Sequence, residues 1–234
     1  MAAHDHDQST ARMTRIVLAS TSPRRRELLS RSGVRFTVVT PPDIEMAPPP
    51  GMCADLAVQL IARAKALAVA LTQPKGTYVI GADTIVIGPN GVGILGKPHS
   101  PARAREMLRA LRGERHTVLT GIAAVAAPEG PEQMGVSRST VRMRHVPDAE
   151  LDAYVASGEP LDKAGGYAIQ GGASDWVEAV NGRVDTVVGL DVALALRLLS
   201  GAGHPFPLPT AADVPLAQKA ARRPLSPMRS ASRI

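Results

Sequence analysis

An α/β fold, with a mixed twisted sheet and flanking helices, is what the sequence predicts, on three observations. Strand-like and helix-like segments alternate through the first half of the chain, whereas candidate strands cluster in the second half. Twice, at Ser22-Pro23 and Ser100-Pro101, a capping side chain precedes a proline whose fixed φ suits the first turn of a helix. No internal repeat at solenoid spacing competes with this reading.

The elements follow in order. Ile16-Val17-Leu18-Ala19 is a short apolar run of the kind that forms a buried strand. Ser22 caps a helix over about Pro23 to Ser32, which Gly33 ends. Val34 to Val39 reads as a second strand. A proline-rich loop, Pro41 to Gly51, leads to a helix over about Asp55 to Leu71, in which Leu60, Ala64, Leu67 and Leu71 recur at helical spacing. Tyr78 to Ile87 is the most strand-like stretch of the chain, and Asn90-Gly91 after it carries the signature of a hairpin turn. The second Ser-Pro pair opens a helix to about Leu111, closed by Gly113. Strands at about His116 to Ala126 and Met134 to His145 follow, then a helix capped by Asp148 that stops before Gly158. A polar, glycine-rich loop from Glu159 to Gly172 precedes a strand near Trp176 to Val180, an Asn181-Gly182 turn and a last helix from about Gly189 to Ser200.

Composition narrows the function classes. With 234 residues, 44% hydrophobic and 21% charged, the chain is large enough for a buried core and far from collagen-like or wholly disordered sequences. Aromatic residues are only 3%, too few for a protein that stacks single-stranded bases on ring platforms. Cys53 alone can form neither an intrachain disulfide nor a Cys-rich metal site, so a reducing cytoplasm is the expected location. No apolar run reaches the roughly 18 to 20 residues that span a bilayer, and the N-terminus lacks the apolar centre of a secretory signal. The net charge of +6 is uneven: from Gly201 onward Lys219, Arg222, Arg223, Arg229 and Arg233 stand against Asp213 alone, among six prolines. The expected division is an N-terminal extension over residues 1–14, a folded domain over 15–200 and a basic, disordered tail over 201–234. That tail is the one place where contact with nucleic acid is entertained; a solvated end without a partner is the simpler reading.

Four features carry chemistry. Arg24, Arg25 and Arg26 crowd the first turn of a helix, where the macrodipole prefers anions; they suit a bound polyanion, most plainly phosphate, or else an exposed basic turn. Asp83 lies between Ala82 and Thr84-Ile85-Val86-Ile87, and a carboxylate in such an apolar strand must be held by a cation, a metal or donors. In a regular strand Thr84 points to the opposite face. Gly91 to Pro98 matches a phosphate-loop pattern except at its last position, where Pro98 supplies neither hydroxyl nor N–H, so an NTPase P-loop is rejected while Lys97 stays a phosphate ligand candidate. Glu159 to Gly171 combines charges, glycines and Gln170, whose amide can donate and accept at a base edge; by itself it also fits a surface connection. The histidines show no zinc spacing, and neither Ser20, Ser22 nor Cys53 sits in a nucleophile signature.

Taken together, Leu18 to Leu29, Gly81 to Val86, Gly96-Lys97-Pro98 and Glu159 to Gly171 resemble, in order and spacing, the Maf family of nucleotide pyrophosphatases, once called septum formation inhibitors. The resemblance runs from about Ile16 to Leu199. It implies an elongated, two-lobed architecture like that of the inosine triphosphatase group, with a central cleft. It further implies a cytoplasmic enzyme, often a homodimer, that cleaves a nucleoside triphosphate to the monophosphate and pyrophosphate. A divalent cation is implied as well, Mg²⁺ first, with Mn²⁺ or Co²⁺ as alternatives. Carried onto this chain, Asp83 is the proton acceptor and a metal ligand with Glu45. Arg24, Thr84 and Gln170 fall at positions tied to substrate choice, in the combination of the dTTP/UTP subgroup, and Ser20, Arg25, Lys65, Lys97 and Lys163 line the cleft. Departures from the family pattern are Met46 in place of a second acid, Gly166-Tyr167-Ala168 in place of Ala-Tyr-Gly, and Asp191 in place of a proline. The competing readings are a 7-methyl-GTP pyrophosphatase and a nucleotide-binding regulator of septum formation without turnover.

Overall fold

The computed structural model describes residues 15–42, 44, 51–91, 93–205, 207–210 and 212–214. Seven strands form one mixed sheet: β1 (Arg15–Ala19), β2 (Thr37–Val39), β3 (Thr77–Ile87), β4 (Ile94–Leu95), β5 (Arg115–Ala126), β6 (Glu132–Met143) and β7 (Val177–Asn181). Their order is β2-β1-β3-β5-β6-β7, with β4 paired to β3. β1 is parallel to β2 and β3, and the remaining pairs are antiparallel. The parallel part is built by crossovers through α1 (Pro23–Ser30) and α2 (Ala54–Ala70), as parallel neighbours require. α3 (Pro101–Leu111), α4 (Asp148–Ala156), α5 (Val184–Val188) and α6 (Val192–Gly201) complete the fold.

Strand alternation divides the core into two faces. Ile16, Leu18, Ile80, Ala82, Val86, Val118 and Ile122 pack with Leu28, Leu29, Leu108, Leu151 and Leu196 from α1, α3, α4 and α6. Val17, Ala19, Val79, Ala123 and Val125 turn the other way, against Ala62, Ala66, Val69 and Ala70 of α2. α2 lies unusually close to the sheet because two strand residues under it lack side chains. A Cβ on Gly81 would come within 2.3 Å of the Ala62 carbonyl oxygen, and one on Gly121 equally close to that of Val58. Both distances are far inside van der Waals contact, so the helix backbone rests directly on the two glycines.

Local signals explain the helix starts. Ser22 accepts a hydrogen bond from the Arg25 N–H and Ser100 from the Arg103 N–H, each followed by proline in the first turn. The Asn90-Gly91 turn is also as expected: both residues have positive φ, and the chain folds back so that Val86 faces Leu95 and Ile87 faces Ile94.

Other elements differ from expectation. β2 is only three residues long, because Val34 and Phe36 turn inward against the core before the chain reaches β1. Asp148 does not cap α4; Pro147 holds that position, and the Asp148 carboxylate instead pairs with Arg109 of α3 and with Arg112 at its C-terminal cap. The expected last helix is α6, which Asp191 caps by accepting from the Leu194 N–H at 3.1 Å, but a short helix that was not expected, α5, precedes it and stops at Gly189, whose φ is +127°. The glycine-rich segment holds two short 3₁₀ turns rather than an open loop, and a third follows it at Ser174–Trp176.

The segment assigned to a basic tail begins as packed chain: Ala202 and Val214 are buried, Leu208 packs on the core, and the Tyr78 hydroxyl donates to the Gly203 carbonyl at 2.6 Å. Residues 1–14, expected to form an N-terminal extension, and 215–234, expected to form most of the basic tail, lie outside the described residues. No helix among the described residues is long and apolar enough to cross a membrane.

Candidate active site

The sheet contains a gap, and the gap makes the site. One edge of β3 is paired with β5 from Tyr78 to Ile87. The other edge is paired with β1 up to Gly81 and with β4 only from Val86. Ala82, Asp83, Thr84 and Ile85 are therefore left without a neighbour on that side. A cleft of about 790 Å³ wraps around this free edge, a volume in the range of small-molecule sites. Successive side chains alternate across a strand, so Asp83 and Thr84 reach the cleft from opposite faces of the sheet.

On the α2 face, Asp83 Oδ1 accepts from Lys65 Nζ at 2.5 Å, and both side chains are about four-fifths shielded, with exposures of 18% and 20%. The ammonium answers the desolvation problem that the sequence posed. Lys65 can sit there because α2 lies against Gly81. Ala57, Ile61 and Ile85 line the cleft beside this pair.

On the opposite face, Arg25 reaches in from the first turn of α1. Its Nε donates to the Gly189 carbonyl at 2.8 Å and its Nη2 to Thr84 Oγ1 at 3.2 Å. Burial pulls the pKa of this guanidinium below its usual value, against the attraction of Asp83 and with the repulsion of Arg24. Val86, Val118, Val187, Val188 and Tyr167 give this side of the cleft an apolar wall. Behind that wall the Tyr167 hydroxyl lies 2.7 Å from Nε2 of His116. Burial pushes the His116 pKa down to about 4 and the Tyr167 phenol up. At neutral pH the imidazole is uncharged, and its Nε2 and the phenol share one hydrogen bond.

The glycine-rich segment closes the third side. Lys163 Nζ donates to the Glu159 carbonyl at 2.6 Å and to Asp162 Oδ1 at 2.7 Å. That hydrogen bond, ahead of the opposing effect of burial, lowers the pKa of Asp162. The Glu159 carboxylate accepts from the Gly172 N–H with both oxygens, at 3.2 and 3.1 Å, and from the Tyr154 hydroxyl at 3.2 Å. These bonds fix the turn that carries Gln170.

Of the residues singled out in the sequence, Arg24, Arg25, Lys65, Asp83, Thr84, Lys97, Lys163 and Gln170 line one cleft. Ser20 does not: it is buried, and its Oγ accepts from the Ser22 N–H at 3.1 Å, bracing the turn that starts α1. Arg26 is exposed outside the cleft. Glu45 and Met46 lie outside the described residues. Sequence reasoning missed His99, which lines the cleft at a φ of +55°, the apolar wall, and His116 behind it.

As a binding surface the cleft suits a polyanion: among the described residues Arg24, Arg25, Lys65, Lys97 and Lys163 face two lining carboxylates, Asp83 and Asp162. No group of three or more His, Cys, Asp or Glu side chains able to hold a metal by themselves occurs among the described residues. A hard divalent cation is commonly held by one or two carboxylates together with substrate phosphates, and Asp83 fits that donor set.

Comparison with known proteins gives three findings. A family model described as Maf-like protein matches residues 15–202. The dTTP/UTP pyrophosphatase of Moorella thermoacetica is 46% identical over 193 residues, spanning 80% of this chain and 95% of its own. That of Myxococcus xanthus is 44% identical over 197 residues, spanning 84% and 97%.

Proposed function

The chain belongs to the Maf-like protein family, and from that premise we propose that it hydrolyses dTTP and UTP to the nucleoside monophosphate and pyrophosphate. One observation carries the proposal: a shielded carboxylate, Asp83, on the free edge of a central strand, paired with Lys65 in a cleft also lined by Arg24, Arg25, Lys97 and Lys163. The relatives named above are dTTP/UTP pyrophosphatases, which supports the choice of nucleotide.

In this reading Arg24, Lys97 and Lys163 bind the phosphates, and Lys65 divides its charge between them and Asp83. Lys65 engages Oδ1 of Asp83, which leaves Oδ2 to orient a water and take its proton. The water oxygen bonds to the α-phosphorus as the bridging oxygen to the β-phosphorus departs, so pyrophosphate carries the leaving electron pair. No covalent intermediate on the protein is needed, since phosphoryl chemistry of this kind is mostly positioning and charge stabilisation. A divalent cation, Mg²⁺ first, would be held by Asp83 and the phosphates and would supply further neutralisation of the developing charge. Glu45 is retained as its second protein ligand. Arg24, Thr84 and Gln170 set substrate choice, and the homodimer implied by the family resemblance belongs to the same proposal.

The test is chromatographic product analysis with Mg²⁺ and separate dTTP, UTP, CTP, GTP and 7-methyl-GTP, with Asp83→Ala alongside. Monophosphate and pyrophosphate from dTTP and UTP, lost in a folded Asp83→Ala, is the expected result. A variant that still turns over, or a preference for 7-methyl-GTP, overturns the assignment. Absence of turnover with every nucleotide would point to a binding regulator instead.

A further inference from the structure

Thr84 is joined to the interior by hydroxyl groups whose donor and acceptor roles are determined. Thr84 and Thr120 are direct cross-strand partners of β3 and β5, with Oγ1 atoms 2.9 Å apart. Thr120 is fully buried, and its Oγ1 lies 2.7 Å from the Thr186 carbonyl oxygen of α5. A carbonyl cannot donate, so the single hydroxyl hydrogen of Thr120 goes to Thr186. The Thr84–Thr120 bond must then run from Thr84 to Thr120. Because Arg25 Nη2 also donates to Thr84, the Thr84 hydroxyl has spent its hydrogen and one lone pair inside the protein. What it can offer the cleft is one lone pair.

A second chain holds the Thr186 end. Asp191 Oδ2 accepts from Ser137 Oγ at 2.8 Å, so the 2.7 Å contact between Ser137 and the Thr186 side chain runs from Thr186 to Ser137. Asp191 is itself paired with Arg183 at 3.2 Å and caps α6. α5 is thereby fixed to the sheet from both its carbonyl and its side chain, and Thr120 cannot rotate its proton toward Thr84 without leaving a buried carbonyl unpaired, which is costly.

An acceptor in the cleft repels phosphate oxygens, which are acceptors too. It sits, moreover, on the face whose wall is Val86, Val118, Val187, Val188 and Tyr167, away from the Asp83–Lys65 pair. That face suits a flat, largely apolar ring carrying an N–H. Uracil and thymine present one at N3, whereas cytosine presents a lone pair there. We propose that Thr120 is a positioning residue for substrate choice: by accepting the Thr84 hydroxyl proton it leaves Thr84 as an acceptor for the N3–H of uracil and thymine. This rests on the dTTP/UTP reading above and adds to it the group that is read and the buried residue that sets the reader.

The experiment measures kcat and KM for UTP, CTP and N3-methyl-UTP with the wild-type protein, Thr120→Val and Thr120→Ser, with circular dichroism melts of each. Wild-type protein is expected to favour UTP over both other nucleotides by about tenfold or more, the scale of one net hydrogen bond. Thr120→Val, free to turn the Thr84 proton outward, should narrow both ratios about tenfold, chiefly through KM for UTP. Thr120→Ser should restore them. Unchanged ratios in a folded Thr120→Val, or an equal loss on UTP and CTP, would overturn the assignment. Should Thr120→Val not fold, the wild-type protein still decides: N3-methyl-UTP used as well as UTP overturns the proposal, and its rejection supports it. Wild-type protein that hydrolyses neither dTTP nor UTP would overturn the underlying reading, a result distinct from turnover without discrimination.

Discussion

Replacing His116 by glutamine should flatten the acid limb of the stability profile. The imidazole is 2% exposed and its folded pKa is held at about 4 by burial, whereas in the unfolded chain it titrates near 6.5. Between those values the unfolded state binds more protons, so stability falls as pH falls, at about 1.4 kcal/mol per pH unit where the difference is fully developed. From pH 7 to pH 5 the loss from this one group comes to about 2 kcal/mol. Glutamine keeps an acceptor within reach of the Tyr167 hydroxyl and removes the titration. Urea unfolding at pH 7 and pH 5, for both proteins, reads the difference. With a slope of about 2 to 3 kcal/mol per molar urea, the wild-type midpoint should drop about 0.7 to 1 M further than that of His116→Gln. Equal drops would refute the claim that His116 is buried neutral behind the cleft wall.

Two further perturbations probe how the cleft is held. Gly81→Ala places a Cβ 2.3 Å from the Ala62 carbonyl oxygen; it should destabilise the fold by about 3 kcal/mol or more, at the upper end for overpacking, and slow turnover by shifting Lys65, as thermal melts and steady-state rates would record. Arg25→Lys retains the charge but cannot bond the Gly189 carbonyl and Thr84 together; kcat/KM for UTP should fall at least about tenfold, and a rate within twofold of wild type would show that the charge alone suffices.

The parts of this protein that were legible in its sequence are those whose causes are local. The starts of α1 and α3 were marked by Ser-Pro pairs whose capping bonds are present. β3 and β5 were marked by long β-branched runs, and Asp83 by its incongruity within one of them. What was not legible depends on pairing between distant segments. Nothing near Ala82–Ile85 reveals that pairing of β3 with β1 ends at Gly81 and that pairing with β4 begins only at Val86. Thr120 and Thr186 read as ordinary strand and helix residues until the sheet register sets Thr120 opposite Thr84. α5 was not legible, because a run as short as Val184 to Val188 carries no helical periodicity of its own; Gly189 and the Asp191 cap separate it from α6. Asp148 was misread as a cap since Pro147 occupies that position, which freed the carboxylate for Arg109 of α3 and Arg112 at its C-terminal cap.

The unpaired stretch of β3 works as a window through the sheet, and its two panes have separate duties. Asp83 looks out on one side, where bond cleavage is assigned, and Thr84 on the other, where the base is assigned. Substitutions that alter the range of accepted nucleotides can therefore accumulate around Thr84 while the Asp83 side stays as it is, even though the two residues are neighbours in the chain. Length is the one thing the window cannot change. Adding or deleting a single residue between Ala82 and Ile85 would turn each side chain to the opposite face, exchanging rate for choice in one step and losing both.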